Sequence, residues 1–208
     1  MDDRQETEAV HLDSTQEQLF GALRARGIAG RSILEIGCGT GGLLHRLLEE
    51  GARSAVGVEL SEQYLVKARA RASRLGHEGR VVYLKGDFME ISDQIEPADV
   101  TILDKVVHCY HDPRTLIRRS TAHTRTLYAV SFLRSRWVLR VCLLLLGPFA
   151  RLFLPFRVRF SRPEVVRAWI REEGFERIFQ TEGETFYAEV YRRRENFAAD
   201  LSILEDKE

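Results

Sequence analysis

In Ile33-Leu34-Glu35-Ile36-Gly37-Cys38-Gly39-Thr40-Gly41-Gly42 an apolar run gives way to a glycine turn, with a carboxylate two positions before the first glycine. A second carboxylate, Glu59, closes the next apolar run. A turn built of glycines lets a ligand lie against bare backbone, because a Cβ there would hold it off. The flanking carboxylates then decide which ligand is welcome. Further along, Asp87 follows Gly86, Asp104 ends another apolar run, and His108, Tyr110 and His111 come directly after it. Imidazoles titrate near neutral pH and are the usual side chains for moving a proton.

These residues need a frame. Ser14-Thr15-Gln16-Glu17 has the pattern of a capping box and predicts a helix ending near Arg26-Gly27. Ser32–Ile36 reads as the first strand. Thr40 or Gly41 opens a helix with Leu43, Leu44, Leu47 and Leu48 on one face and Gly51 as its stop. Ser54–Glu59 is the second strand, and Ser61 caps a helix with Tyr64, Leu65 and Ala68 turned inward. Val81–Leu84, Val100–Leu103 and Leu127–Phe132 are strands three to five, and Asp112-Pro113 marks a helix start. Ser161-Arg162-Pro163-Glu164 predicts a further capped helix, with Val165, Val166, Trp169 and Ile170 on one face and Gly174 as its stop. Phe175–Gln180 and Thr185–Arg192 predict an antiparallel hairpin about Gly183. Near-continuously apolar strands alternating with helices predict a parallel sheet covered on both faces. The fold class is therefore α/β, Rossmann-like and seven-stranded, mostly parallel with the last strand reversed, and with an apolar helical insert after strand five.

The 208 residues suit a single domain, with 1–13 and 194–208 as loosely held ends. Cys38, Cys109 and Cys142 are odd in number and far apart, which gives neither a disulfide framework nor a metal-ligand pattern. A reducing, cytoplasmic compartment and no metal are expected. The acidic N-terminus has no apolar core and so does not read as a signal peptide. Net charge is zero, yet Pro113–Pro163 holds eleven arginines and no lysine or acid. That concentration predicts a cationic face aimed at something anionic, or else arginines on solvated faces and beside core helices.

Gly37, Gly39 and Gly42 also satisfy the dinucleotide fingerprint, and that match alone would admit a nicotinamide or flavin enzyme. Glu35 opposes it, since a carboxylate beside a doubly anionic pyrophosphate repels it. A ligand bearing an ammonium and a sulfonium, such as S-adenosylmethionine, attracts that carboxylate. The chain resembles the class I S-adenosylmethionine-dependent methyltransferases over roughly residues 14–192. Glu35-Ile36-Gly37-Cys38-Gly39-Thr40-Gly41 matches their first motif, and Glu59 in Val58-Glu59-Leu60-Ser61 matches the acid that holds both ribose hydroxyls. Gly86-Asp87-Phe88 matches their adenine site, and Asp104 would sit near the methionine end of the donor. The resemblance implies a donor site of Glu35, Gly37, Cys38, Gly39, Glu59, Leu60, Asp87, Phe88 and Asp104, with S-adenosylhomocysteine as product.

On the acceptor side, Asp104-Lys105-Val106-Val107-His108-Cys109-Tyr110-His111-Asp112 lacks the Asn/Asp-Pro-Pro-Tyr/Phe motif used on planar base nitrogens. Nucleic acid is not the expected partner. His108, Tyr110 and His111 are the catalytic candidates at the C-terminal edge of the sheet, or else pack against adenosine and the next helix. The stretch 134–160 is a lid-like insert, and its core Trp137–Phe156 is very apolar; Arg140 and Arg151 leave uncharged runs too short to span a bilayer. It reads as a lid over an amphiphilic acceptor, a homodimer interface, or a peripheral membrane contact through 137–160. More loosely, the layout resembles the magnesium-protoporphyrin O-methyltransferases. The expected function is S-adenosylmethionine-dependent methyl transfer to a small or lipophilic acceptor, at oxygen ahead of nitrogen or carbon. An NAD(P)-dependent oxidoreductase and a non-catalytic methyltransferase-fold protein binding a membrane or partner are the alternatives. The looser resemblance does not carry the acceptor's identity over.

Overall fold

The computed structural model describes residues 10–133, 161–183 and 185–195. Helix α1 is Ser14–Arg24, β1 Ser32–Ile36, α2 Gly42–Glu49, β2 Ser54–Glu59, α3 Glu62–Arg74 and β3 Val81–Lys85. A short α4 (Phe88–Ile91) precedes β4 (Ala98–Leu103), followed by α5 (Pro113–Ala122), β5 (Thr124–Leu133), α6 (Pro163–Glu172), β6 (Phe175–Glu182) and β7 (Phe186–Arg193). The sheet runs β3-β2-β1-β4-β5-β7-β6, with β7 antiparallel to both of its neighbours and every other described pairing parallel. This is the expected seven-stranded architecture.

Strand alternation divides the core between the two faces. Ile33, Val100, Ile102, Leu127, Ala129 and Val190 face α1, α2 and α3, where Leu19, Leu23, Leu44, Leu47 and Leu65 complete one cluster. Leu34, Ile36, Leu103, Tyr128 and Val130 face the opposite way, against Leu116 and Ile117 of α5 and Val166 and Ile170 of α6. Two helical layers therefore clamp the sheet and hold its strand ends in register. That second face also buries a charge: Glu189 is fully buried and held by Arg167 at 2.7 Å and Arg177 at 3.5 Å. No helix among the described residues is long and apolar enough to cross a membrane.

Several local expectations shift. The cap of α1 is Asp13, not Ser14: its carboxylate accepts from Thr15 N–H at 3.0 Å and Gln16 N–H at 3.2 Å, and Gln16 reaches back to Asp13 N–H at 3.3 Å. A capping box is available in both registers, and Asp13 also meets the Lys105 ammonium, a partner that Ser14 would not attract. Val10 and Leu12, within the stretch expected to be loose, are buried in the core. Tyr64 is exposed while Leu65, Ala68 and Ala72 form the inward stripe of α3. Arg162, not Ser161, caps α6, and no side chain supplies the cap bond; Pro163 at the first turn has no N–H to satisfy, and the Val165 N–H donates to Arg162 O at 3.0 Å. The apolar stretch 134–160 lies outside the described residues. Of the arginine-rich stretch, Arg114 pairs with Glu172 at 3.3 Å and Arg119 donates to Met89 O at 2.8 Å, so these two secure neighbouring helices.

Candidate active site

At the C-terminal end of β1 the chain turns through Gly37, Gly39 and Gly41, all with positive φ (73°, 56° and 72°). Gly37 N–H and Cys38 N–H both donate to Val58 O, at 2.8 and 3.1 Å, which ties the turn to the tip of β2. A Cβ on Gly37 would stand 2.4 Å from Val106 Cγ2, so the turn is pressed against the segment after β4. A Cβ on Gly39 would meet nothing within 4 Å, so the backbone there faces open space. Glu59 is fixed beside it: Oε2 accepts from Gly39 N–H at 3.0 Å and Oε1 from Ser61 N–H at 2.9 Å. Each oxygen keeps a lone pair for a hydroxyl. Leu60, which follows it, is 56% exposed, an apolar side chain at the rim of that space.

Charge accumulates at this edge with one sign. Glu35 is buried, and burial together with the charges of Asp104 and Glu59 holds its carboxyl well above the usual range. Its Oε2 has no hydrogen-bond partner among the described residues. Asp104 is raised by burial, against the Ser131 hydroxyl donating at 2.6 Å and the nearby Lys105 charge, which pull it down. Burial and the Glu35 and Glu59 charges push the Cys38 thiol upward, so it is an unreactive small side chain in the turn. Asp87 caps α4 by accepting from Met89 N–H at 2.9 Å. Phe88 is fully buried edge-on to His123 at 5.4 Å, so its side chain belongs to the core and leaves its backbone to the site.

The segment after β4 divides the three acceptor-side candidates. His108 is half-buried, tilted against the Phe186 ring at 6.1 Å, and its Nδ1 is buried without a partner among the described residues. Burial lowers its pKa, offset in part by Asp104. Tyr110 turns toward Asp87 instead; burial, the Asp87 charge and a hydrogen bond to Asp87 push its phenol upward. His111 is exposed on the loop before α5. Lys105 is the member that sequence reasoning passed over. It is the one non-glycine residue with positive φ (57°) among the described residues, and its ammonium meets Asp13, lies 3.7 Å from Asp104 Oδ2 and sits 5.5 Å over the Phe186 ring. Strained backbone of this kind gathers at functional sites. A concavity of about 660 Å³ opens here, with Asp13, Gln18, Lys105, Thr185 and Phe186 on its wall.

The profile of a family described as "Methyltransferase domain" matches residues 33–126, which run from β1 into β5 and include every donor-edge residue above. Over that stretch the chain is similar to a methyltransferase domain. An uncharacterized methyltransferase of Geobacillus kaustophilus is 41% identical over 71 residues, 34% of this chain and 30% of that protein. The ribosomal protein L11 methyltransferase of Alteromonas mediterranea is 35% identical over 74 residues, 35% of this chain and 25% of that protein. The matched stretch thus spans less than a third of these relatives' own length. Among solved structures, magnesium protoporphyrin IX methyltransferase from Synechocystis, with S-adenosylhomocysteine bound, superposes with a TM-score of 0.72 at 19% identity, covering 86% of this chain and 82% of that one. An O-methyltransferase family protein from Burkholderia thailandensis gives a TM-score of 0.67 at 14% identity, covering 86% and 56%.

This chain's own residues fit S-adenosylmethionine. Glu59 retains acceptor capacity beside the open face of Gly39, where a ribose would lie. The partnerless Glu35 oxygen, with Asp104 beyond it, suits an ammonium and a sulfonium, whose charge favours the ionised carboxylate, whereas a pyrophosphate would disfavour it further. Lys105 and Asp13 were not legible as partners because 92 positions separate them; the one local signal was a lysine immediately after the strand-ending Asp104.

Proposed function

We propose that the chain transfers the methyl group of S-adenosylmethionine to a small, amphiphilic acceptor, at oxygen. The observation that carries this reading is the buried Glu35 carboxylate, without a partner and flanked by Asp104 and Glu59, at the mouth of a glycine turn. When bound, the donor supplies a methyl already activated on sulfur, so the protein's work is alignment and exclusion of water. Glu59 would orient the ribose, and Glu35 and Asp104 the charged end. His108, its pKa lowered by burial, is the candidate base for the proton that an acceptor hydroxyl must lose on O-methylation. The Phe186 face suits the apolar body of such an acceptor, and the Lys105 ammonium, already paired with Asp13 and close to Asp104, steadies that wall. One solved structure of similar fold is described as an O-methyltransferase family protein, in keeping with oxygen as the accepting atom.

Thermal shift tests the donor. S-adenosylhomocysteine at a hundred times its dissociation constant is expected to stabilise the protein by about 2.7 kcal/mol, and NAD to leave the melt unchanged. A shift with NAD and none with S-adenosylhomocysteine would reject the assignment. With donor binding in hand, label from methyl-labelled S-adenosylmethionine should enter the solvent-extractable fraction of a cell lysate; label confined to RNA or protein would overturn the small-acceptor reading.

A further inference from the structure

At the opposite edge of the sheet, where the parallel strands begin, a concavity of about 790 Å³ opens beside the C-terminal ends of α1, α5 and α6 and the last residues of β7. One strand length, about 20 Å for the six residues of β4, separates it from the donor edge. Six arginines line it, Arg26, Arg31, Arg125, Arg192, Arg193 and Arg194, against two carboxylates, Glu173 and Glu195.

Some of these arginines have structural work. Arg26 donates to Ala22 O at 2.7 Å and Ile178 O at 2.8 Å, Arg31 to Thr126 Oγ1 at 2.8 Å, and Arg193 to Thr121 O at 2.8 Å and Thr124 O at 3.1 Å. Every one of these acceptors is neutral. Such bonds fix the guanidinium in place without cancelling its charge. Among the described residues, none of Arg26, Arg31, Arg125, Arg192 and Arg193 forms an ion pair within 4.0 Å. Arg125 and Arg192 are exposed and make no side-chain hydrogen bond among the described residues.

Offsetting the C-terminal partial charges of α1, α5 and α6 is the bland explanation, and magnitudes leave a remainder. Those three termini supply roughly half a negative charge each. With Glu173, Glu195 and Asp99, which the Arg125 charge reaches, included, six guanidiniums still leave a surplus of about one and a half positive charges. Burial additionally opposes the charge on Arg193, offset in part by Glu173, and a ligand anion would relieve the rest.

We propose that this pocket binds a compact polyanion bearing two or more phosphate groups. Arg26, Arg31 and Arg193 supply pre-positioned charge, and Arg125 and Arg192 supply open guanidinium forks, which suit phosphate oxygens. An extended nucleic acid is the weaker fit, because the charge is gathered in one concavity and the chain's net charge is zero.

Calorimetric titration of inorganic pyrophosphate into the full chain tests this, with orthophosphate and a single-stranded RNA oligonucleotide as comparisons and S-adenosylhomocysteine present or absent. Saturable one-to-one pyrophosphate binding is expected, at least about tenfold tighter than orthophosphate, weakened by salt and indifferent to S-adenosylhomocysteine. The double substitution Arg125→Gln/Arg192→Gln should weaken it about thirtyfold while the unliganded Tm and the S-adenosylhomocysteine affinity stay unchanged, since neither side chain caps the fold. The proposal is overturned by any of four results: no saturable pyrophosphate binding, binding unaltered in the double variant, competition with S-adenosylhomocysteine, or RNA binding that pyrophosphate does not displace.

Discussion

Replacing Glu35 with glutamine is expected to weaken S-adenosylmethionine binding about a hundredfold while raising the melting temperature. The side chain is buried at the end of β1, its neighbours Asp104 and Glu59 share its sign, and one oxygen has no partner. Glutamine keeps the volume and removes the charge. Relief of a buried, uncompensated carboxylate should stabilise the free protein by about 1–2 kcal/mol at neutral pH. For a chain of this size that is a rise of roughly 2–8 °C. Loss of a charge-assisted contact to a cationic ligand costs about 1.5–3 kcal/mol, and the upper part of that range is a hundredfold in affinity.

The pH dependence has a definite sign. Because the folded pKa of Glu35 is raised, its contribution to stability is complete below the unfolded value, near 4.3–4.5, and is lost as pH climbs through the folded value. The stability gap between Glu35→Gln and the parent should therefore widen as pH rises from about 4.5. Within the same window a cationic donor favours the ionised form, so binding to the parent should release a proton and tighten with pH, and the variant should lose that component. Calorimetry in buffers of different ionisation enthalpy reads the proton directly. Unchanged donor affinity together with a lower Tm would make Glu35 a purely structural acid.

What the sequence made legible follows from range. Ser32–Ile36 and Ser54–Glu59 were readable to the residue because each is an apolar run bounded by turn chemistry, and the donor edge is assembled from the tips of such runs. α4 escaped notice because four residues carry no periodicity. Buried polar groups escaped for a different reason: their partners are distant in sequence. His45 lies on the leucine-rich α2 yet is fully buried, with Nδ1 3.0 Å from His77 Nδ1 and Nε2 2.9 Å from Tyr83 Oη. Nothing within α2 announces those contacts. The arginine pocket is hidden in the same way: five of its six guanidiniums, Arg26, Arg31, Arg192, Arg193 and Arg194, lie outside the arginine-rich run between 113 and 163 and meet only through the fold. The acceptor side shows the limit most sharply. His108, Tyr110 and His111 look equivalent in sequence, but one short turn sends them to Phe186, to Asp87 and to solvent.

Two alanine substitutions in one turn are expected to separate folding from donor binding. Gly37→Ala places a methyl 2.4 Å from Val106 Cγ2 at a φ of 73°. The left-handed conformation alone costs a side chain about 1–2 kcal/mol, and overpacking against a buried valine adds about 1–3 kcal/mol. Unfolding by denaturant should register the sum, about 2–5 kcal/mol, with donor binding lost as the turn shifts away from the segment after β4. Adding Val106→Ala should return part of that loss, giving a coupling energy of about 1–3 kcal/mol between the two sites. Gly39→Ala should behave otherwise. Its φ is 56° but no atom lies within 4 Å of the new methyl, so the free protein bears only the backbone strain, about 1–2 kcal/mol. The methyl projects into the space beside Glu59 that the donor's ribose would fill, and S-adenosylhomocysteine affinity should drop at least tenfold with the fold intact. Should Gly39→Ala bind S-adenosylhomocysteine as tightly as the parent, the open face of this turn is not where the nucleoside lies, and the donor site assigned to Glu35 and Glu59 would have to be moved.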